Sequence, residues 1–148
     1  MGTNEAGLAT APSPDTPYGM PMATVNLSQD TFSATVTDNP IVLLDFWASW
    51  CGPCRSFAPV YETVSEQHPD IVFGKIDTEA EQALAGAAGI TSIPTLMAIR
   101  DGIVIYANPG AINEGALNNL IQAVRDVDMD EVRRGVEAQQ AQSDSPEA

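Results

Sequence analysis

The fold of this chain is decided at residues 41–55, which read IVLLDFWASWCGPCR. The first seven residues are apolar except for Asp45, and such a run is typical of a central strand that is covered on both faces. Cys51 and Cys54 follow, with Pro53 between them, and a helix tolerates proline in its first turn because that turn can spare a backbone donor. We therefore expect a buried strand that leads into a helix, with both cysteines at the junction.

The neighbouring segments alternate between strand and helix patterns. A short strand at 25–27 precedes a helix that Ser28 can cap. Helical spacing extends from the cysteines to His68, and the next strand covers 71–76. A strand, a helix and a strand in this order predict parallel pairing with a right-handed crossover.

The second half of the chain adds a hairpin and further helices. An alanine-rich helix at 79–88 ends at Gly89, and strands at 93–99 and 103–106 pair through a turn at 101–102. A last helix begins near Asn113, and its apolar stripe can continue to Val136. We expect an α/β fold with a central mixed sheet of about five strands, flanked by helices on both faces.

The 148 residues fit one domain with two extensions. Residues 1–22 hold four prolines among small and polar residues, a composition typical of a disordered arm. Residues 23–126 form the domain. Residues 127–148 form an acidic helical extension, which we expect to fray beyond Glu137.

The composition limits the partners. A net charge of −14 repels phosphate backbones and anionic lipids, so we expect neither a nucleic acid nor a membrane partner. The first twenty residues contain no Lys or Arg and no long apolar run, a pattern that predicts a cytoplasmic protein and not a secreted one. A monomer is the default for a domain of this kind.

The two cysteines indicate a reactive pair and not a structural bridge or metal site. A bridge between Cys51 and Cys54 closes almost no loop, so it stabilises the fold little. A zinc site would need two more ligands, and His68 is the one histidine of the sequence. A pair of inert core thiols would not explain Gly52 and Pro53 at a helix start. Redox chemistry is the favoured interpretation.

The helix start explains why Cys51 would react. Unpaired backbone N–H groups and the positive end of the helix dipole stabilise a thiolate, which is the attacking species in disulfide exchange. We expect Cys51 to be accessible and Cys54 to be its shielded resolving partner. Pro53 removes one donor from this turn, and weaker stabilisation of the thiolate favours a reductase over an oxidant.

The motif and four further positions resemble the thioredoxin family. Residues 45–55 are similar to its active-site segment, and the remaining matches are Pro59, Lys75, Pro94 after Ile93, and Gly110. The resemblance covers about residues 24–124 and implies the thioredoxin fold. Arg55 and Ser49 depart from the residues that are usual there, and neither position takes part in the chemistry.

The resemblance implies a protein-disulfide reductase that binds no cofactor or metal and acts on disulfide-containing proteins. Cys51 would attack, Cys54 would resolve the mixed disulfide, and Asp45 would take the proton from Cys54 while Lys75 tunes it. Substrates would contact six residues: Trp50, Gly52, Pro53, Ile93, Gly110 and Pro94, the last in the cis form. A thioredoxin reductase, which is an NADPH-dependent flavoprotein, would restore the dithiol.

Other interpretations stay open from the residues alone. Asp45 can be a buried acid with no catalytic role, Lys75 a solvated lysine, and Trp50 a packing residue. The protein could instead be a docking subunit that uses its arm or its acidic extension for recognition. A third alternative is an exported oxidant or isomerase of the same fold, which Pro53 disfavours.

Overall fold

The computed structural model describes residues 23–144, with side chains described as far as residue 142. The predicted arm at 1–22 and the last four residues lie outside this range. The chain runs through these elements: β1 (Thr24–Asn26), α1 (Gln29–Asp38), β2 (Ile41–Trp47), α2 (Gly52–Gln67), β3 (Val72–Asp77), α3 (Gln82–Ala87), β4 (Thr95–Arg100), β5 (Ile103–Pro109), α4 (Glu114–Asp126) and α5 (Met129–Asp144).

Within the described residues, five strands form one mixed sheet in the order β1-β3-β2-β4-β5. β1, β3 and β2 are parallel, and Leu43 of β2 lies opposite Phe73 of β3. β4 pairs antiparallel with β2, and β5 pairs antiparallel with β4. The central strand is therefore β2, as its run of apolar residues predicted, and residues 41–46 are all buried.

Alternate residues of β2 face two separate apolar cores. Leu43 faces the core that also holds Phe57 and Tyr61 of α2 and Leu117 of α4. Leu44 faces the other core, against which α1 and α3 pack. The sheet is thus flanked by helices on both faces, and the expectation of an α/β fold with a five-stranded mixed sheet is confirmed.

The β4–β5 hairpin turns where the sequence predicted. Asp101 has φ 53° and Gly102 has φ 81°, so both residues adopt the left-handed conformation that a tight hairpin turn requires. β5 then runs to Pro109, three residues beyond the predicted strand. The longer strand brings the chain back to the end of the sheet where β2 meets α2.

Three helix boundaries differ from the expectation. α3 has six residues, because the backbone N–H groups of Glu79 and Ala80 bond to Asp77 Oδ1 in a turn that precedes it. The last helix is divided in two at Val127, and Asp128 Oδ1 accepts from Asp130 and Glu131 N–H at the start of α5. α5 also continues past Glu137 as far as Asp144, where fraying was expected.

No helix within residues 23–144 combines the length and the apolar character needed to cross a membrane.

Candidate functional site

The two cysteines lie where β2 gives way to α2. Cys51 is the N-cap of α2 and is joined to Cys54 by a disulfide, with their Cα atoms 5.2 Å apart. The backbone N–H of Cys54 donates to Cys51 Sγ over 3.1 Å. The predicted pair is therefore brought together at a helix N-terminus, where a backbone donor already points at the first sulfur.

The exposure of Cys51 differs from the expectation. The sequence predicted an accessible residue, but only 4% of Cys51 and 3% of Cys54 are exposed in the disulfide form. Cys51 is bonded to its partner, and its Sγ lies 3.9 Å from the carbonyl oxygen of Ile93. The bond and the neighbouring loop together account for the burial.

The loop that faces Cys51 is built from residues far away in the sequence. The Ile93-Pro94 peptide bond is cis, as the resemblance implied. The N–H of Gly110 donates to the carbonyl of Pro94 over 2.8 Å, and Gly110 has φ 111°, a conformation that favours glycine. The ends of β4 and β5 thus hold Ile93, Pro94 and Gly110 beside the disulfide.

The residues flanking Cys51 form an exposed rim. Trp50 is 65% exposed, and Gly52 and Pro53 are exposed at the start of α2. The indole N–H of Trp50 donates to the Glu79 carboxylate, which fixes the orientation of the ring. Sequence reasoning did not identify Glu79, because no local pattern links residues 29 positions apart.

Asp45 lies on β2, two residues before this strand ends at Trp47. It is 1% exposed, and its position on the strand places it on the same face of the sheet as Leu43, where α2 packs. Burial raises its pKa from the ordinary 3.8 to about 6, an effect that the positive charge of Lys75 partly offsets. Within the described residues, Asp45 Oδ1 has no hydrogen-bond partner. An unpaired buried carboxylate oxygen can accept a proton.

Lys75 lies opposite Asp45 in the pairing of β3 with β2, and the two side chains make no direct ion pair. Its Nζ lies 5.2 Å from the centre of the Trp47 ring, a distance typical of a cation–π contact. Lys75 therefore acts on Asp45 through its charge. Trp47 itself is half-buried.

A metal site at the two cysteines would need further ligand side chains close to them. His68 lies at the other end of α2 from the cysteines, where its ring nitrogens lie 2.8 Å from Asn118 Oδ1 and 3.1 Å from Arg125 Nη2. Across the described part of the chain, no three His, Cys, Asp or Glu side chains converge in a way that could hold a metal ion. The cysteines are instead bonded to each other.

Known proteins resemble this chain along most of its length. A family model described as Thioredoxin matches residues 23–123. "Putative thioredoxin 2" of Streptomyces coelicolor is 56% identical over 121 residues, covering 82% of this chain and 90% of the relative. Thioredoxin of Bacillus subtilis is 41% identical over 101 residues, covering 68% of this chain and 96% of the relative.

Solved structures show the same likeness. A mutant thioredoxin from Halobacterium salinarum superimposes with a TM-score of 0.65 at 38% identity, over 70% of this chain and 91% of that one. Thioredoxin f from spinach chloroplast gives a TM-score of 0.65 at 33% identity, over 71% of this chain and 96% of that one.

Proposed function

The chain belongs to the thioredoxin family and reduces protein disulfides through a redox-active cysteine pair, and we propose that Cys51 is the attacking thiol of this reaction. The observation that carries the proposal is the position of its sulfur. Cys51 Sγ caps α2 and accepts the backbone N–H of Cys54 over 3.1 Å. A helix N-terminus and a directed N–H both favour a thiolate over a thiol, so in the dithiol form Cys51 is the sulfur placed to attack.

The reaction proceeds in two exchanges. The Cys51 thiolate attacks one sulfur of a substrate disulfide, forming a mixed disulfide while the other substrate sulfur leaves as a thiolate and takes up a proton. Cys54 then loses its proton and attacks the sulfur of Cys51. The Cys51–Cys54 disulfide forms, and the second substrate sulfur leaves as a thiol. Two electrons pass from the cysteine pair to the substrate.

Asp45 is the proton acceptor that we assign to Cys54. It lies on the face of the sheet that α2 covers, and Cys54 is a buried residue of α2. With a pKa of about 6, the carboxylate is largely ionised at pH 7 and is still basic enough to receive a proton. Lys75 would keep that pKa from rising further, because its positive charge favours the carboxylate.

The substrate contacts the rim around the disulfide. We assign Trp50, Gly52 and Pro53 to one side of this rim, and Ile93, Pro94 and Gly110 to the other. Four of these residues are exposed, Ile93 is half-buried next to Cys51 Sγ, and Pro94 is buried behind it in the disulfide form. An extended segment of the substrate could bond to the backbone of this loop as an added strand.

The oxidised pair must be returned to the dithiol after each turnover. Membership of the family implies substrate proteins and a reductase as partners. We propose an NADPH-dependent flavoprotein thioredoxin reductase as the electron source and the cytoplasm as the place of this cycle.

Reduction of insulin by dithiothreitol, followed by turbidity, tests the assignment of Cys51. We expect Cys51→Ser to fall to the uncatalysed rate. Cys54→Ser that is first reduced, freed of dithiothreitol and then mixed with insulin should accumulate a mixed disulfide with the substrate, which is visible on a non-reducing gel. Ser56→Ala, an exposed change on α2, is the matched control and should keep the full rate. A Cys51→Ser variant that reduced insulin normally would refute the assignment.

A further inference from the structure

An apolar groove crosses the sheet face that α1 and α3 cover. It encloses about 420 Å³ and is lined almost entirely by apolar side chains, among them Phe32, Leu84, Met97, Ile99, Val104 and Ala107. α3 has only six residues, and on β5 Val104 remains 52% exposed and Ala107 is also exposed. The groove therefore opens to solvent over β4 and β5.

The groove continues to the redox site. A second cavity of about 150 Å³ shares Met97 and Ala107 with it and extends to Thr91, Ser92 and Pro109. Thr91 and Ser92 directly precede the Ile93-Pro94 bond, and Ile93 O is 3.9 Å from Cys51 Sγ. One end of the groove thus lies at the loop beside the disulfide.

The strand pairing gives the length of the groove. Its floor follows the paired positions Thr95 and Pro109, Met97 and Ala107, and Ile99 and Val104. The distance along β4 from Thr95 to Ile99 is about 13 Å, since a strand rises about 3.3 Å per residue. An extended segment of four or five residues would fill it.

We propose that the groove binds an apolar, extended segment of the substrate protein that lies on one side of its target cysteine. This inference rests on the proposed function, because the occupant is the same polypeptide whose disulfide meets Cys51. Continuity with the redox site favours this occupant over an unrelated ligand. The lining selects aliphatic or aromatic side chains, and the net charge of −14 disfavours acidic ones.

Peptides with one cysteine, blocked as a mixed disulfide with glutathione, test this groove. One peptide carries Leu-Val-Leu next to its cysteine and another carries Ser-Ser-Ser, and each is made with the triplet before and after the cysteine. The full chain is assayed with both apolar peptides, and the one with the lower KM is compared with its serine counterpart. Its KM should be about tenfold below that of the serine peptide, which is the discrimination that burial of one apolar group can give.

Two variants block the groove and one serves as a control. Ala107→Trp fills it, and Val104→Asp places a charge at its edge; each should remove the preference while turnover of the serine peptides stays unchanged. Val25→Asp is the matched control, since Val25 is 43% exposed on the opposite edge strand and lines neither cavity. Circular dichroism establishes that each variant is folded.

Binding of the same peptides with serine in place of cysteine, measured by fluorescence anisotropy, separates the two proposals. A chain that binds the apolar serine analogue but reduces none of the glutathione-blocked peptides would refute the proposed function and leave the groove proposal standing. Equal binding of apolar and polar peptides would overturn the groove proposal. So would tighter peptide binding after removal of residues 1–22, or a dimer that Val104→Asp dissociates, because each would show a different occupant.

Discussion

Asp45 is the residue at which stability and the proposed catalytic role oppose each other. Its pKa in the folded chain is about 6 against the ordinary 3.8, because burial penalises the charged form. Between these pH values the folded chain keeps a proton that the unfolded chain has released. The contribution of Asp45 to the free energy of unfolding is therefore fully present below pH 3.8 and is lost as the pH rises through about 6. The difference between the two pKa values corresponds to a free energy of unfolding that is lower by about 3 kcal/mol at pH 7.

We expect Asp45→Asn to raise the free energy of unfolding at pH 7 by about 2 kcal/mol, less than the full amount because the new amide also needs partners. Urea denaturation from pH 4 to pH 7 should show a flatter pH profile for the variant. Insulin reduction should slow at least about tenfold, because the proton acceptor that we propose for Cys54 is lost. Asp30→Asn, an exposed control on α1, should change neither quantity appreciably. A variant no more stable than the parent at pH 7 would contradict this account.

Some residues of the site could be predicted from local sequence patterns, and others could not. Cys51 and Cys54 follow from local patterns, since a buried strand and a proline in a first helical turn fix their junction. The closeness of Ile93 and Gly110 to Cys51 came only from the resemblance, because contacts between distant segments leave no local signal. The bond from Trp50 to Glu79 was missed for the same reason.

Arg100, at the end of β4, bonds to the end of α4 and to the residue that follows it in the link to α5. Its Nη1 donates to the carbonyls of Val124, Arg125 and Val127 at 2.9, 3.0 and 3.0 Å. These carbonyls lie at the C-terminus of α4, where backbone acceptors lack partners and a positive charge is favourable. Arg100 therefore stabilises the end of α4 and the link to α5.

Replacing Arg100 with methionine keeps most of the apolar stem and removes the donors. We expect Arg100→Met to lower the free energy of unfolding by about 2 kcal/mol, the range for hydrogen bonds to a charged group. Urea denaturation measures this change. Arg134→Met, at an exposed position on α5, is the matched control and should stay within about 0.5 kcal/mol of the parent. Equal stability of both variants would show that these bonds contribute nothing.

The elements themselves were largely predictable, and the errors have physical causes. Apolar runs identified β2 and β4, because central strands are buried on both faces. The prediction of one continuous helix after Asn113 was wrong, because the apolar spacing continues through Val127 while the helical backbone ends before it. Asp128 caps α5, and an acid before a helical run is a signal that could have been read from the sequence.

At the scale of the whole molecule, the net charge of −14 should bias which substrates the chain meets. The sequence contains 20 acidic and 6 basic residues. Long-range attraction should therefore favour basic substrates, and salt should weaken that preference. We expect kcat/KM for a lysine-rich disulfide peptide to exceed that for a glutamate-rich one several-fold at 20 mM salt, with the ratio approaching one at about 0.5 M. A ratio that did not change with salt would exclude this effect.

The position of α5 has a practical consequence. Met129 is 6% exposed, and Arg133 pairs with Asp101 over 3.3 Å at the hairpin turn. That turn lies at the far end of β4 from Thr95, so the helix is anchored away from the disulfide. A fluorophore or a solid support attached through an exposed position of α5, such as Gln140, would leave the catalytic face free, and the chain could serve as an immobilised reagent for trapping its targets.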